Sequence, residues 1–288
     1  MLRGLYTAAA GMIMQQRRHD TVTNNISNVN TPGFKQVNAI PRSFPDMLLE
    51  LTGIEADKPQ RIGILNTGVF AEESLSIHQQ GDLSATGRLS DFALMWGIEV
   101  DGMAFDESGK YVGPNGVVTY QPQAFFTIED RSGEIRYSRD GTFTLNDAGF
   151  LVTSDGSFVL GADNNRIQFD PGTAIEQLTL TRDQRFVDNA TGLDTGVQLL
   201  ISRVENPNKL VREGNGKFRL EGEGNLVRPV AANDRFEVRQ GFIERSNVDA
   251  SQAMVDLMAA LRAYESNQKM VQYYDKSLEK AVNEVGRV

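Results

Sequence analysis

The chain has 288 residues, enough for one or two domains, and 40% of them are hydrophobic, which allows a core to form. Its net charge of −9 argues against a dedicated nucleic-acid binder, and no apolar run approaches the roughly 18 residues of a membrane span. There is no cysteine, which excludes disulfides and thiolate chemistry, and any histidine-based metal centre or catalytic triad would depend on His19 or His78.

The first predicted element is a helix over about residues 3 to 28. Its apolar positions follow helical spacing at Leu2, Leu5, Ala9 and Met12. Pro32 and Gly33 favour a turn, so the helix should end in an asparagine-rich stretch. The small residues lie inside the first apolar stretch and not after it, so we expect no cleaved signal peptide.

The middle of the chain is predicted to be β structure. It holds 24 of the 27 glycines and all nine prolines, which break helices. Between residues 125 and 160, short β-rich runs alternate with turn dipeptides such as Asp140-Gly141, which predicts an antiparallel meander. Later strands are expected at 197–204, 209–212 and 217–220. These turn aspartates lack the ligand spacing of a calcium loop, so no metal or other cofactor is predicted.

The last predicted element is one long helix. Ten positions from 254 to 285 alternate by three and four, and eight of them are apolar, which is the pattern of a heptad seam. Ser246 and Asp249 offer two alternative starts, and Gly286 suits the end.

This seam needs a partner. Burial of its apolar residues does not by itself offset the conformational entropy that is lost when a helix of this length is ordered, so we expect the helix to be stable only when it is packed against another surface. The N-terminal helix offers one partner, but its own apolar positions fade after Met12. Two interpretations remain open from the residues alone, an intramolecular helix pair and packing against other subunits.

Several stretches resemble the bacterial flagellar rod and hook proteins. They are residues 2–12 (LRGLYTAAAGM), 24–35 (NNISNVNTPGFK), 80–86 (QGDLSAT), 125–128 (FFTI), 137–143 (YSRDGTF), 240–249 (QGFIERSNVD) and 261–269 (LRAYESNQK). The length and residues 42–49 (RSFPDMLL) are most similar to a distal-type rod protein of Gram-positive bacteria.

The resemblance implies an α+β fold, with discontinuous N- and C-terminal helices forming a coiled-coil-like domain and a central antiparallel β-rich domain. The expected segments are 1–36 (helical assembly), 37–75 (extended linker), 76–241 (β-rich, with an extra hairpin at about 97–123) and 242–288 (helical assembly). It implies a structural subunit without catalysis or cofactor, located in the flagellar basal body. The subunit would leave the cell through the flagellar export apparatus and polymerise with itself and other rod and hook proteins into the torque-carrying shaft.

The resemblance and the heptad pattern together predict an assembly interface on both helices and the turn after the first. Its residues are Leu2, Leu5, Ala9, Met12, Asn24, Asn25, Asn28, Pro32, Gly33, Phe34, Met254, Leu257, Leu261, Tyr264, Asn267, Val271, Leu278 and Val282. The alternatives are a hook-type axial protein, an extracellular β-rich adhesin or fibre, and a carbohydrate hydrolase that uses paired carboxylates among Glu129, Asp130 and Glu134.

Overall fold

The computed structural model describes residues 2–51, 60–72, 74–100, 102–106, 109–170, 172–222, 226–231 and 234–285. The chain divides into two compact units. The helical unit comprises Met1–Ser27, Val37–Ser76 and Asp249–Val288, and the β unit comprises Asn28–Gln36 and Ile77–Val248. The fold is α+β.

The two long helices have clear local origins. Helix α1 spans Leu2–Ser27 and helix α2 spans Ala250–Lys280, followed by a π-helical turn at Ala281–Val285. Of the two predicted starts for α2, Asp249 is the N-cap, because its carboxylate accepts hydrogen bonds from the backbone N–H groups of Ser251 (2.8 Å) and Gln252 (3.0 Å). The predicted end at Gly286 lies outside the described residues.

Neither helix combines the length and apolar character needed to cross a bilayer, within the residues that the structure describes.

An antiparallel ribbon completes the helical unit. Its strands are β1 (Val37–Asn38), β2 (Pro41–Ser43), β3 (Met47–Leu51), β4 (Gln60–Leu65), β5 (Val69–Ala71) and β6 (Leu75–Ser76). They pair in a nested order, β1 with β6, β2 with β5 and β3 with β4. The residues predicted as an extended linker are thus paired strands, grouped with the helices.

The β unit contains β7 to β24. Their bounds are β7 (Leu83–Ala85), β8 (Phe92–Trp96), β9 (Lys110–Val112), β10 (Val118–Tyr120), β11 (Gln123–Glu129), β12 (Ile135–Ser138), β13 (Phe143–Leu145), β14 (Leu151–Thr153), β15 (Phe158–Val159), β16 (Leu178–Leu180), β17 (Arg185–Asp188), β18 (Asp194–Gln198), β19 (Ile201–Val204), β20 (Leu210–Gly214), β21 (Lys217–Leu220), β22 (Val227–Pro229), β23 (Phe236–Gln240) and β24 (Phe242–Glu244). Short 3₁₀ turns lie at Ile175–Gln177 and Pro207–Lys209.

The predicted meander is present as β11 to β15 and lies in the main sheet, whose order is β13-β14-β15-β11-β12-β21-β20, with β19 on β11 and β22 on β19. Strands β16 to β18 form a separate three-stranded sheet, and β9 and β10 form a hairpin within the predicted insertion. The core contains aromatic rings in edge-to-face contact, including Phe126 against Phe143 with centroids 5.1 Å apart.

Late strands pair with early ones in the β unit. Strand β23 pairs with β8, and β24 pairs with β7, so residues 236–244 lie beside residues 83–96. This pairing brings the end of the β unit's sequence next to its beginning and positions Glu244 at the end of the last strand, opposite Leu83.

Gly141 provides a test of packing in the β unit. A Cβ at Gly141 would lie 1.8 Å from the carbonyl oxygen of Phe92, whereas nothing lies within 4 Å of a Cβ at Gly97. We expect Gly141→Ala to lower the free energy of unfolding of the β unit by about 3 kcal/mol or more and Gly97→Ala to change it by less than about 0.5 kcal/mol. Urea unfolding followed by fluorescence of Trp96, the chain's one tryptophan, measures both. Equal effects would contradict the packing described here.

Candidate assembly interface

The two helices pair in an antiparallel arrangement through a seam of small and polar residues. Along α1, Gly4, Gly11 and Arg18 recur every seven residues. A Cβ at Gly4 would lie 2.1 Å from the Tyr274 hydroxyl oxygen, and one at Gly11 would lie 3.0 Å from an amide nitrogen on α2. The absence of side chains on these two glycines therefore leaves room for the ends of the Tyr274 and Asn267 side chains of α2.

The α2 side of this seam has the same heptad spacing. Ala253 and Ala260 are its buried side chains, and Asn267 and Tyr274 continue the series. At the other end, Arg18 forms an ion pair with Asp256 at 3.1 Å. The pair is partly exposed, so it contributes at most about 1 kcal/mol. The intramolecular contact thus depends on small side chains and polar groups.

Larger apolar side chains of both helices face solvent. The exposed fractions are 54% for Met254, 51% for Met258 and 42% for Leu261, which lie on one stripe of α2 at i, i+4 and i+7. On α1, Tyr6 (69%) and Ile13 (56%) are seven residues apart. We call these five side chains the outer face. Sequence reasoning found two of them, and missed Met258, Tyr6 and Ile13 because it followed a single seam.

The other predicted interface residues of the helices lie in varied environments. Partly buried are Leu5, Ala9, Met12, Leu257, Tyr264, Asn267, Val271 and Leu278, and Val282 is exposed. The side chain of Leu2 lies outside the described residues. The predicted seam residues therefore do not share one environment: some are partly buried, and others are exposed.

The asparagine cluster takes several roles. Asn25 is buried in the helical unit, where its side-chain amide donates to the carbonyl of Val37 (2.7 Å) and its oxygen accepts from the N–H of Val37 (3.0 Å). This pair fixes β1 against the end of α1. Asn24 is exposed, and Asn28 is a partly buried acceptor for the Thr31 hydroxyl at 3.2 Å.

The turn after α1 is anchored inside the β unit. Gly33 is buried in a left-handed conformation (φ 66°), where a Cβ would lie 2.7 Å from the backbone carbon of Arg139. Phe34 is buried beneath the Arg212 guanidinium, 4.3 Å from the ring centroid. Pro32 beside them is partly buried. Gly33 and Phe34 are thus covered by their own unit.

A buried ion cluster holds this turn in place. Glu244 accepts hydrogen bonds from Lys35 Nζ (2.6 Å), Arg139 Nε (2.9 Å) and the backbone N–H of Gly81 (3.0 Å). The side chains of Lys35, Arg139 and Glu244 are fully buried. One carboxylate therefore joins the turn after α1, the meander and the last strand of the β unit.

Burial sets the protonation of this cluster. It lowers the pKa of Lys35 to about 8, against the attraction of Glu244. Burial alone would raise the pKa of Glu244, but the positive charges of Arg139 and Lys35 outweigh it and hold that pKa below its ordinary value. Glu244 thus stays ionised between two cations.

His78 lies in the same charged environment and is 8% exposed. Its Nδ1 has no hydrogen-bond partner among the described residues. Burial lowers the pKa of His78 to about 3, and nearby cations, Lys35 foremost, act in the same direction. Sequence reasoning missed this cluster, although its members lie in or near the stretches that carry the family resemblance. Charged residues that directly follow an apolar residue, as in Phe34-Lys35 and Ile243-Glu244, are the local feature that these two share.

The terminal helices of this α+β chain pair with each other and leave large apolar side chains exposed to solvent. Three family models match it. They are described as flagella basal body rod protein (residues 5–35), flagellar hook protein FlgE/F/G D1 domain (121–192) and flagellar basal body rod FlgEFG protein C-terminal (239–284). Each covers one member of the buried cluster, Lys35, Arg139 or Glu244 in turn.

Curated relatives extend the similarity over the full length. The flagellar hook-basal body complex protein FlhO of Bacillus subtilis strain 168 is 34% identical over 294 residues, covering 100% of both chains. The flagellar basal-body rod protein FlgG of Borreliella burgdorferi is 31% identical, covering 96% of this chain and 97% of its own. The B. subtilis FlgG is 28% identical over 98% and 99%. The chain belongs to the flagellar basal-body rod and hook protein family.

Removal of the buried carboxylate tests its role in the β unit. We expect Glu244→Gln to lower the free energy of unfolding by about 3 kcal/mol or more, because it leaves Lys35 and Arg139 buried without a counter-charge. Glu237→Gln, which breaks an exposed pair with Arg239, should cost less than about 0.5 kcal/mol. Urea unfolding followed by Trp96 fluorescence compares them. A small effect at Glu244 would show that the cluster does not hold the turn.

Acid provides a second test, through His78. The folded protein binds this proton only near pH 3, whereas the unfolded chain binds it near pH 6.5. The stability that neutral His78 contributes is therefore complete above pH 6.5 and is lost as pH falls towards 3, by about 1.4 kcal/mol per pH unit. We expect His78→Gln to flatten the dependence between pH 6 and 4.5 by that slope. Identical slopes for the native chain and His78→Gln would refute the prediction.

Proposed function

We propose that this chain is a structural subunit of the flagellar basal-body rod and that its outer face is covered by other subunits when the rod polymerises. The full-length similarity to named rod proteins supports the first statement. The exposure of Met254, Met258 and Leu261 carries the second, because large apolar side chains grouped on one face mark an interaction site.

The packing of the helices explains why assembly would add stability. The intramolecular seam buries small residues such as Ala253 and Ala260, which supply little apolar area. The outer face holds larger side chains that are already about half covered, and their complete burial between subunits would contribute about 1 kcal/mol each. In this proposal the helices form a coiled-coil-like layer only as copies pack together.

The same proposal includes export and the transmission of torque. A helix pair joined by small and polar contacts unfolds at low cost, which suits a subunit that leaves the cell unfolded through the flagellar export apparatus, with no cleaved signal peptide. The absence of cysteine means that no disulfide has to be reduced first. Among the alternatives from the sequence, a hook-type subunit shares the family, while the adhesin and the hydrolase gain no support from the relatives. We therefore propose no catalytic role.

Charge on the outer face tests this function. We expect the double variant Ile13→Glu/Leu261→Glu to abolish rods and motility in a strain that lacks the native copy, because burial of two carboxylates raises the polymerisation concentration by on the order of a hundredfold or more. The matched control is Gln16→Glu/Ser266→Glu, which places the same charges at exposed polar positions of the same helices. It should assemble.

Electron microscopy of basal bodies and a motility assay give the readouts. Circular dichroism of both purified proteins checks that the helices are retained. Normal rods from the outer-face variant would refute the proposed assembly surface.

A further inference from the structure

Exposed methionine is concentrated on α2. Among the described residues, the most exposed methionine side chains are Met47 (57%), Met254 (54%), Met258 (51%) and Met270 (47%), and three of these four lie on this one helix. Met14, by contrast, is 2% exposed. Three exposed thioether sulfurs therefore lie on α2, the helix that carries part of the proposed assembly surface.

Met254 and Met258 belong to the outer face itself. They are one helical turn apart and lie on one stripe with Leu261. Exposure controls how fast a thioether reacts with an oxidant, so both sulfurs are open to attack in the unassembled chain.

We propose that Met254 and Met258 form an oxidation-sensitive modification site that controls whether a free subunit can join the rod; this rests on the proposed function. The oxidant is a peroxide. The thioether sulfur attacks one peroxide oxygen and the O–O bond breaks. A sulfur–oxygen bond forms, the sulfur is oxidised by two electrons, and hydrogen peroxide is reduced to water after proton transfer to the leaving hydroxide. The product is methionine sulfoxide, which methionine sulfoxide reductases convert back.

Oxidation of the two sulfurs would weaken assembly because a sulfoxide is much more polar than a thioether. A sulfoxide oxygen is a strong hydrogen-bond acceptor, and its burial against apolar side chains without a donor is unfavourable. An oxidised free subunit would therefore add poorly, while a subunit already in the rod would have both sulfurs covered and react slowly. The site would thus distinguish free subunits from assembled ones.

The experiment uses the purified full-length chain treated with hydrogen peroxide under native conditions. Peptide mass spectrometry should show Met254 and Met258 oxidised at least about tenfold faster than Met14. Sedimentation of polymers should show the concentration needed for assembly raised at least about tenfold by oxidation, and a methionine sulfoxide reductase should restore it.

Two variants identify the responsible sulfurs. For each protein, the concentration needed for assembly after oxidation is divided by the concentration needed without treatment. For Met254→Leu/Met258→Leu this ratio should be near one. For Met47→Leu, which removes an exposed methionine from the β3–β4 ribbon, peroxide should inhibit as strongly as in the native chain. Equal inhibition of both variants, or slow oxidation of Met254 and Met258, would overturn the proposal. A chain that oxidises as described but never polymerises when untreated would instead overturn the proposed function, and the control of assembly with it.

Discussion

The fit of α1 against α2 depends on glycine in α1, and several exposed apolar side chains of α2 lie outside this contact. Gly4 and Gly11 leave room for the ends of the Tyr274 and Asn267 side chains, and Ala253 and Ala260 are the buried side chains of α2. Met254, Met258 and Leu261 lie on another stripe of α2 and face solvent, so the helical unit retains apolar surface that a second protein surface can cover.

The β unit holds the two segments that connect it to the helices, the turn after α1 and the last strand before α2. Its last strand ends at Glu244, which binds Lys35 from the turn after α1 and Arg139 from the meander. A buried charge cluster is costly unless each member is paired. It adds little net stability but strongly disfavours any other arrangement of the turn, so we interpret it as a device for specificity.

Much of the fold could be predicted because the signals are local. Helical spacing and the position of Pro32 predicted α1, the Asp249 cap predicted the start of α2, and turn dipeptides predicted the meander. The ribbon was not predicted, because its strand pairs are up to about 40 residues apart and its turn signals are weak. The heptad pattern selects apolar positions along α2 but does not say which flank of α2 contacts α1. The positions of Gly4 and Gly11 on α1 show which residues of α2 face it.

The residues of the candidate site also differ in whether local sequence patterns can predict them. Met254 and Leu261 could be read from periodicity, whereas the association of Lys35, Arg139 and Glu244 depends on pairing between strands distant in sequence, which one sequence does not reveal. Gly33 and Phe34 were expected at an assembly interface, and each is buried within the β unit. We interpret these two residues as anchors that hold the turn after α1 in the β unit.

The central claim is that the outer face is open in the free chain and covered in the rod. Because the chain has no cysteine, a single thiol can report this directly. The reaction rate of a small thiol reagent would be measured for Leu261→Cys and, as a reference, Ser266→Cys, in dilute solution and after assembly. The account predicts that assembly slows the reaction at position 261 at least about tenfold more than at position 266. Equal rates at both positions in the rod would contradict it.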